Sequence, residues 1–82
     1  MVRQQDSIKS FRNNTDEFVR AMVDARATNP LRFKYRKRDG TVRFARGYIP
    51  RGYWVNVSAN NIFAYWDLDR KGWRSLYTTN LL

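Results

Sequence analysis

The chain has 82 residues, enough for one domain with a thin core, and its five Phe, five Tyr and three Trp are large rings suited to filling it. It carries 16 Lys and Arg against 7 Asp and Glu, for a net charge of +9, and it has no Cys and no His. Disulfides, thiolate nucleophiles, Cys/His zinc sites and imidazole acid–base chemistry are therefore excluded.

Residues 1–13 read as a flexible N-terminal segment ahead of one helix-plus-barrel domain over 14–82. The opening MVRQQDSIKSFRNN has no apolar run of signal-peptide type, and disorder is expected before about Ser7. Within it Ile8 and Phe11 are placed to form a short helical face or to dock on the body. Thr15 then precedes Asp16 and Glu17, acids in a first helical turn where the helix dipole favours them. Phe18, Met22 and Ala25 recur at helical spacing, with Val19 and Val23 beside them. Pro30 disfavours helical geometry at Asn29, so the helix is predicted to end near Ala27 or Thr28.

From Leu31 the apolar period becomes two. Leu31, Phe33 and Tyr35 alternate with Arg32, Lys34 and Arg36, and Asp39-Gly40 predicts a two-residue type I′ hairpin turn. The return strand runs from Thr41 to about Ile49, where Pro50 and Gly52 break it. Further strands are predicted over Tyr53–Val57, Ile62–Leu68 and Trp73–Thr78, separated by turns at 58–61 and 69–72. The fold class is α+β: an N-terminal helix followed by a five-stranded antiparallel SH3-like small barrel, with the helix across one opening. Closure would remove sticky sheet edges. An open five-stranded sheet with the helix on one face is the alternative. No stretch approaches the roughly 20 apolar residues that span a bilayer, so a cytoplasmic location without a membrane partner is expected.

The charge is concentrated. Residues 31–51 hold eight of the sixteen basic residues and one acid, Asp39, whereas 1–30 and 52–82 each sum to +1. A localised excess is the footprint of a polyanion-binding surface. With a two-residue turn, Tyr35 faces Phe44, Phe33 faces Arg46 and Leu31 faces Tyr48 on the apolar side. Arg36 then faces Arg43 on the other, with Lys34 opposite Ala45 and Arg32 opposite Gly47. Directly opposed like charges destabilise a sheet unless a counter-charge relieves them. A bulge at the turn would shift this register by one residue and split the cluster. The competing explanation is a solvated, aggregation-resistant face. Such faces usually mix signs, and this one has its nearest acid in the turn.

The candidate nucleic-acid-binding residues are Arg32, Lys34, Arg36, Arg38, Arg43, Arg46, Arg51 and Trp54. Arg forks suit phosphates and stack on bases. In RGYIPRGYW, Tyr48 is assigned to the core, and a regular strand would turn at most one of Tyr53 and Trp54 inward. Trp73 reads as a core ring, and Arg74 as the structural partner of Asp67. No catalysis, metal or cofactor is expected. The lone Glu17 is explained by the helix start, and Asp67 and Asp69 are closer to ion pairs than to a metal site.

Two stretches resemble a known family. Phe33, Tyr35, Lys37, Asp39, Gly40, Thr41 and Arg43 follow the pattern F-x-Y-x-K-x-D-G-T-x-R. Asp67 to Ser75 follows D-x-x-x-x-G-W-R-S, with Asn80-Leu81 after it. Over about residues 31–82 the chain is similar to small phage-borne SH3-like barrel proteins, with a more distant likeness to WYL-type ligand-sensing domains. Among phage proteins of this size and basicity it resembles the TifA group, toxin inhibitors of T4-like phages. That group binds RNA and inhibits a host endoribonuclease toxin of a type III toxin–antitoxin system. The resemblance implies RNA and a host toxin ribonuclease as partners in the host cytosol, with the RNA on the basic hairpin. The alternative is an inhibitor that docks an acidic host protein without nucleic acid.

Overall fold

The structure, a computed structural model, describes residues 8–82. Helix α1 spans Thr15–Asp24 and is followed by strands β1 (Leu31–Arg36), β2 (Val42–Tyr48), β3 (Ile62–Asp67) and β4 (Gly72–Tyr77), then a short 3₁₀ turn at Thr78–Asn80. The strands form one antiparallel meander in the order β1-β2-β3-β4. Among the described residues no helix is long and apolar enough to cross a membrane.

The sheet has four strands where five were expected, and it is not a closed barrel. The missing strand is 53–57, which contributes one isolated bridge, Val57 to Phe63. Gly52 at φ 94° turns the chain away from β2, Tyr53 and Trp54 are both exposed, and Val55 and Val57 pack against the core without a strand beside them beyond that bridge. Strands β2 and β3 are paired only at Gly47–Asp67 and Tyr48–Trp66. The molecule is thus two hairpins joined at one corner. The C-terminal residues approach β1: Leu81 bridges Tyr35, and the Leu82 N–H donates to the Lys34 carbonyl at 3.1 Å.

Helix α1 lies over the gap between the hairpins. Phe18, fully buried, meets Phe33 of β1 and Phe63 of β3 edge-on, each at 5.1 Å between ring centroids. Edge-to-face pairing satisfies the ring quadrupoles while closing the core. Met22 and Ala25 complete the buried stripe expected from the helical spacing. The cap is Asn14 rather than Thr15. Its side chain accepts from the Glu17 N–H at 3.3 Å and donates to the Glu17 carboxylate at 2.7 Å, a reciprocal cap. The helix also stops earlier than predicted. Arg26 and Asn29 exchange backbone hydrogen bonds of 3.1 and 2.9 Å, forming a tight turn. The Arg26 guanidinium caps the carbonyls of Val23 and Ala25. Of the segment expected to be flexible, residues 8–13 are described: Phe11 is buried against Phe18, and its N–H donates to the Leu82 carbonyl at 2.8 Å. The expectation of disorder before Ser7 lies outside the described residues.

The first hairpin departs from its predicted register by one residue. Leu31 pairs with Gly47, Arg32 with Arg46, Phe33 with Ala45, Lys34 with Phe44, Tyr35 with Arg43 and Arg36 with Val42. The cause is a three-residue loop. Gly40 N–H donates to the Lys37 carbonyl at 2.9 Å, Gly40 adopts φ 91°, and Lys37 N–H donates to the Thr41 carbonyl at 2.7 Å. This is a type I turn closed by a glycine bulge. The Asp39 carboxylate selects it by accepting from both the N–H and the hydroxyl of Thr41, at 3.0 and 2.7 Å. A Cβ at Gly40 would meet open space. Gly40→Ala is therefore expected to cost about 1–2 kcal/mol through the left-handed backbone alone. A lower urea midpoint with an unchanged m-value would show this.

Candidate nucleic-acid interface

The one-residue shift decides which side chains share a face. On β1, Phe33 and Tyr35 point into the core, and Arg32, Lys34 and Arg36 point outward. On β2 the outward residues are Val42, Phe44, Arg46 and Tyr48, and no outward position of either strand carries an acid. Arg32 therefore faces Arg46, Lys34 faces Phe44, and Arg36 faces Val42. The like-charged pair is Arg32/Arg46, not Arg36/Arg43. Its counter-charge is Asp69, whose carboxylate accepts from Arg46 Nη2 at 2.8 Å and Nε at 3.2 Å. The Arg46 guanidinium in turn holds the Asp69 carboxyl below its ordinary pKa.

Arg43 leaves the basic face. Its side chain is 12% exposed and its Nη2 lies 2.5 Å from Oδ2 of fully buried Asp67. It takes the place expected of Arg74, which is exposed on β4 opposite Tyr65. Asp67 also accepts from the Tyr65 hydroxyl at 3.2 Å and from the Arg70 N–H at 2.9 Å, which fixes the β3–β4 turn. The Tyr35 and Tyr65 hydroxyls are 3.3 Å apart. Burial pushes the Asp67 carboxyl up, but the Arg70 N–H, the Arg43 guanidinium and the Tyr65 hydroxyl outweigh it and hold the carboxyl below its ordinary value. Burial and the neighbouring Tyr35 hydroxyl push the Tyr65 phenol up, so it stays a neutral donor. This buried network braces the sheet beneath its outer face.

Lys37 and Arg38 lie exposed in the hairpin loop beyond β1. Arg36 Nη1 donates to the Gly40 carbonyl at 2.8 Å, which ties the end of β1 to the turn. Arg51 and Trp54 are on the loop after β2 rather than on a strand, and Trp54 is 90% exposed. The structure thus brings Arg32, Lys34, Arg36 and Arg46 onto one face, with Arg38 at its end. Arg51 and Trp54 lie on a separate rim.

Composition also hid an aromatic surface. Phe44 is 61% exposed, between the cations of β1 and β2. Tyr48, assigned to the core from sequence, is half-buried on the outward side and pairs with Trp66. Trp73, expected as a core ring, is partly exposed, pairs with Trp66 at 5.8 Å and packs edge-on against Tyr53 at 5.0 Å. Following Arg46 along β2 leads to Tyr48, then across the sheet to Trp66 and Trp73, then to Tyr53. The signal in the sequence was the alternation of IFAYWD, which puts Ile62, Ala64 and Trp66 opposite in direction to buried Phe63, Tyr65 and Asp67.

Successive outward residues on a strand are about 7 Å apart, a pitch that an extended sugar–phosphate backbone can follow. Cations at that pitch beside exposed rings can neutralise phosphates and stack bases in one surface. No curated protein and no solved structure matches the chain. The family model described as WYL_2, Sm-like SH3 beta-barrel fold, matches residues 19–82. That span takes in most of α1, all four strands and the C-terminal residues that reach back to β1, and the chain belongs to this WYL_2 family of SH3-like folds.

Proposed function

We propose that this protein binds single-stranded RNA across the outer face of the first hairpin, with phosphates along Arg32, Lys34, Arg36 and Arg46 and bases on Phe44 and Tyr48. The observation that carries the reading is an outward face of β1 and β2 with four cations, an exposed ring among them and no acid on either strand, Asp69 from the β3–β4 turn pairing with Arg46. Binding rather than catalysis is its mode of action. Arg and Lys release counterions as they take up phosphates, and the rings stack bases with little regard to sequence. Arg43 belongs to the support of this face and not to its contacts. The resemblance to phage toxin inhibitors of the TifA group adds the biological setting. In it, the protein is phage-encoded, acts in the host cytosol and restrains an endoribonuclease toxin of a type III toxin–antitoxin system by holding RNA and toxin together.

The test is binding of a labelled single-stranded RNA across a salt series, for the wild type and for Lys34→Ala/Arg36→Ala. For single strands the log–log slope is about −0.7 per neutralised phosphate, so four contacts predict a slope near −3, and the double substitution brings it to about −1.4. Phe44→Ala is expected to weaken binding by about 1–3 kcal/mol with the slope unchanged, because a stacked ring carries no charge. Absence of binding at low salt, or a slope indifferent to Lys34 and Arg36, overturns the reading. A complex with a host protein that survives nuclease treatment would point instead to an acidic protein surface as the target.

A further inference from the structure

A second concave surface lies at the tip of the first hairpin, around the end of β1 from the outer face. It is a groove of about 310 Å³ between the Lys37–Gly40 loop and the edge formed by β3, β4 and the 3₁₀ turn. One wall is cationic: Arg36, Lys37 and Arg38. The other carries Ile62, Tyr77 and Asn80, and among the described residues no carboxylate lines the groove. Ile62 and Tyr77 are cross-strand partners, and both are at least a third exposed, so their apolar surface is open to the groove rather than spent on the core. Among the described residues neither Lys37 nor Arg38 is in a salt bridge, although the Lys37 charge acts on Asp39. Asp39, the one acid of the loop, is engaged by Thr41, whose hydroxyl and N–H hold its carboxyl below the ordinary range. The hydrogen bond from Arg36 Nη1 to the Gly40 carbonyl holds this groove-lining side chain against the loop and engages one of its guanidinium nitrogens.

We propose that this groove is a nucleotide-end site: it takes a terminal phosphate monoester on Arg36, Lys37 and Arg38 and the attached base on Tyr77. The volume is at the small end of ligand pockets, a size suited to one nucleotide. A monoester carries more charge than an internal phosphodiester, close to −2 near neutrality, and three cations lining one groove are matched to that excess. A ring half-exposed on the facing wall offers a stacking surface without selecting a sequence. The proposal uses the RNA reading for one of two possible sources of the ligand, an RNA end. The other source is a free nucleoside monophosphate.

The experiment separates these. Titrate adenosine 5′-monophosphate, adenosine and inorganic phosphate into the protein. Then compare one short oligoribonucleotide bearing a 5′-phosphate, a 3′-phosphate or neither. The monophosphate is expected to bind more tightly than adenosine or phosphate alone. A phosphorylated end should raise oligonucleotide affinity by about tenfold, the worth of one charge-assisted hydrogen bond. Both effects are expected to vanish in Lys37→Glu/Arg38→Glu and to weaken in Tyr77→Ala, with thermal melting confirming that these exposed substitutions leave the fold intact. Affinity is also expected to fall as the pH drops through about 6, where the monoester dianion takes up a proton and loses one of its two charges. The protein has no His, and Asp39 stays ionised there, so that dependence belongs to the ligand.

Monophosphate binding without an end effect assigns the site to the free nucleotide. Equal affinity for all three oligonucleotides together with no monophosphate binding overturns the proposal, whatever the RNA affinity of the sheet. Phosphate binding as tightly as the monophosphate overturns the role of Tyr77. Monophosphate binding that persists in Lys34→Ala, while RNA binding fails in the wild type, separates this site from the failure of the RNA reading.

Discussion

Asp67→Asn is expected to destabilise the fold by about 3–5 kcal/mol, the usual cost of leaving one member of a buried ion pair without its partner. Asp67 is fully buried and Arg43 is nearly so, which leaves the guanidinium little water to replace the lost carboxylate. Arg43 is already imperfectly satisfied: its Nε is buried with no hydrogen-bond partner among the described residues. Asparagine can still accept from the Arg70 N–H, so the loss reads the charge and not the turn. A domain of this size has a total stability of about 4–12 kcal/mol, so the variant should be partly unfolded at room temperature. Urea denaturation measures it. Arg43→Met/Asp67→Leu should recover most of the loss, because removing both charges removes the desolvation problem with them. A loss below about 1 kcal/mol for Asp67→Asn would show that the pair is solvated and does not brace the sheet.

The same pair sets an acid limit. The folded state holds the Asp67 carboxyl below its ordinary pKa, so its contribution is complete above that ordinary value and is lost as the pH falls through the folded one. Wild-type stability should therefore decline below about pH 4. Asp67→Asn should show a shallower acid slope. Without His, no imidazole titration contributes between pH 5 and 7.

Gly47→Ala is the second substitution with a large expected effect. A Cβ at Gly47 would lie 3.0 Å from the Trp66 carbonyl oxygen and from Tyr65 Cε2, and closer still to Tyr65 Cδ2. Tyr65 is fully buried and hydrogen-bonded through its hydroxyl, so it cannot swing aside. The Trp66 oxygen is backbone at the one place where β2 and β3 are paired. Forcing the corner apart would separate the two hairpins and disturb the Tyr48–Trp66 pair above it. A loss of about 3 kcal/mol, at the upper end for overpacking, is expected. In a domain of this size it corresponds to roughly 12–24 °C in melting temperature. The near-ultraviolet circular dichroism of Tyr65 and Trp66 should weaken in parallel. A melting temperature unchanged within a few degrees would mean that the corner relaxes freely.

Local pattern made much of this architecture legible. The 3.6-residue spacing of Phe18, Met22 and Ala25 identified the helix and its buried stripe, because a helix against a core has to present one apolar face. Period-two alternation located β1, β2, β3 and β4. It failed at 53–57, where four of five residues are apolar or aromatic but only Val57 finds a bridge. Strand propensity describes fitness for a pleated surface, and here Val55 and Val57 reach the core while no neighbouring strand pairs with the rest of the segment. The helix end and its cap were missed by short-range competition: Arg26 and Asn29 closed a turn before Pro30 took effect, and Asn14 capped better than its neighbour.

For the candidate interface, the sequence by itself determined that the first hairpin is basic, that its cations alternate with core residues, and that little acid is present to neutralise them. These follow from composition and from the period of a strand, which no tertiary contact can alter. Only the tertiary structure decided which cations share the outer face. One extra loop residue, favoured by the Asp39–Thr41 hydrogen bonds and by Gly40, moved Arg43 inward to Asp67 and brought Phe44 out among the cations. Side chains on a strand alternate, so a one-residue slip exchanges the two faces. The aromatic path through Tyr48, Trp66, Trp73 and Tyr53 was equally beyond the sequence, because it depends on which strand lies beside which.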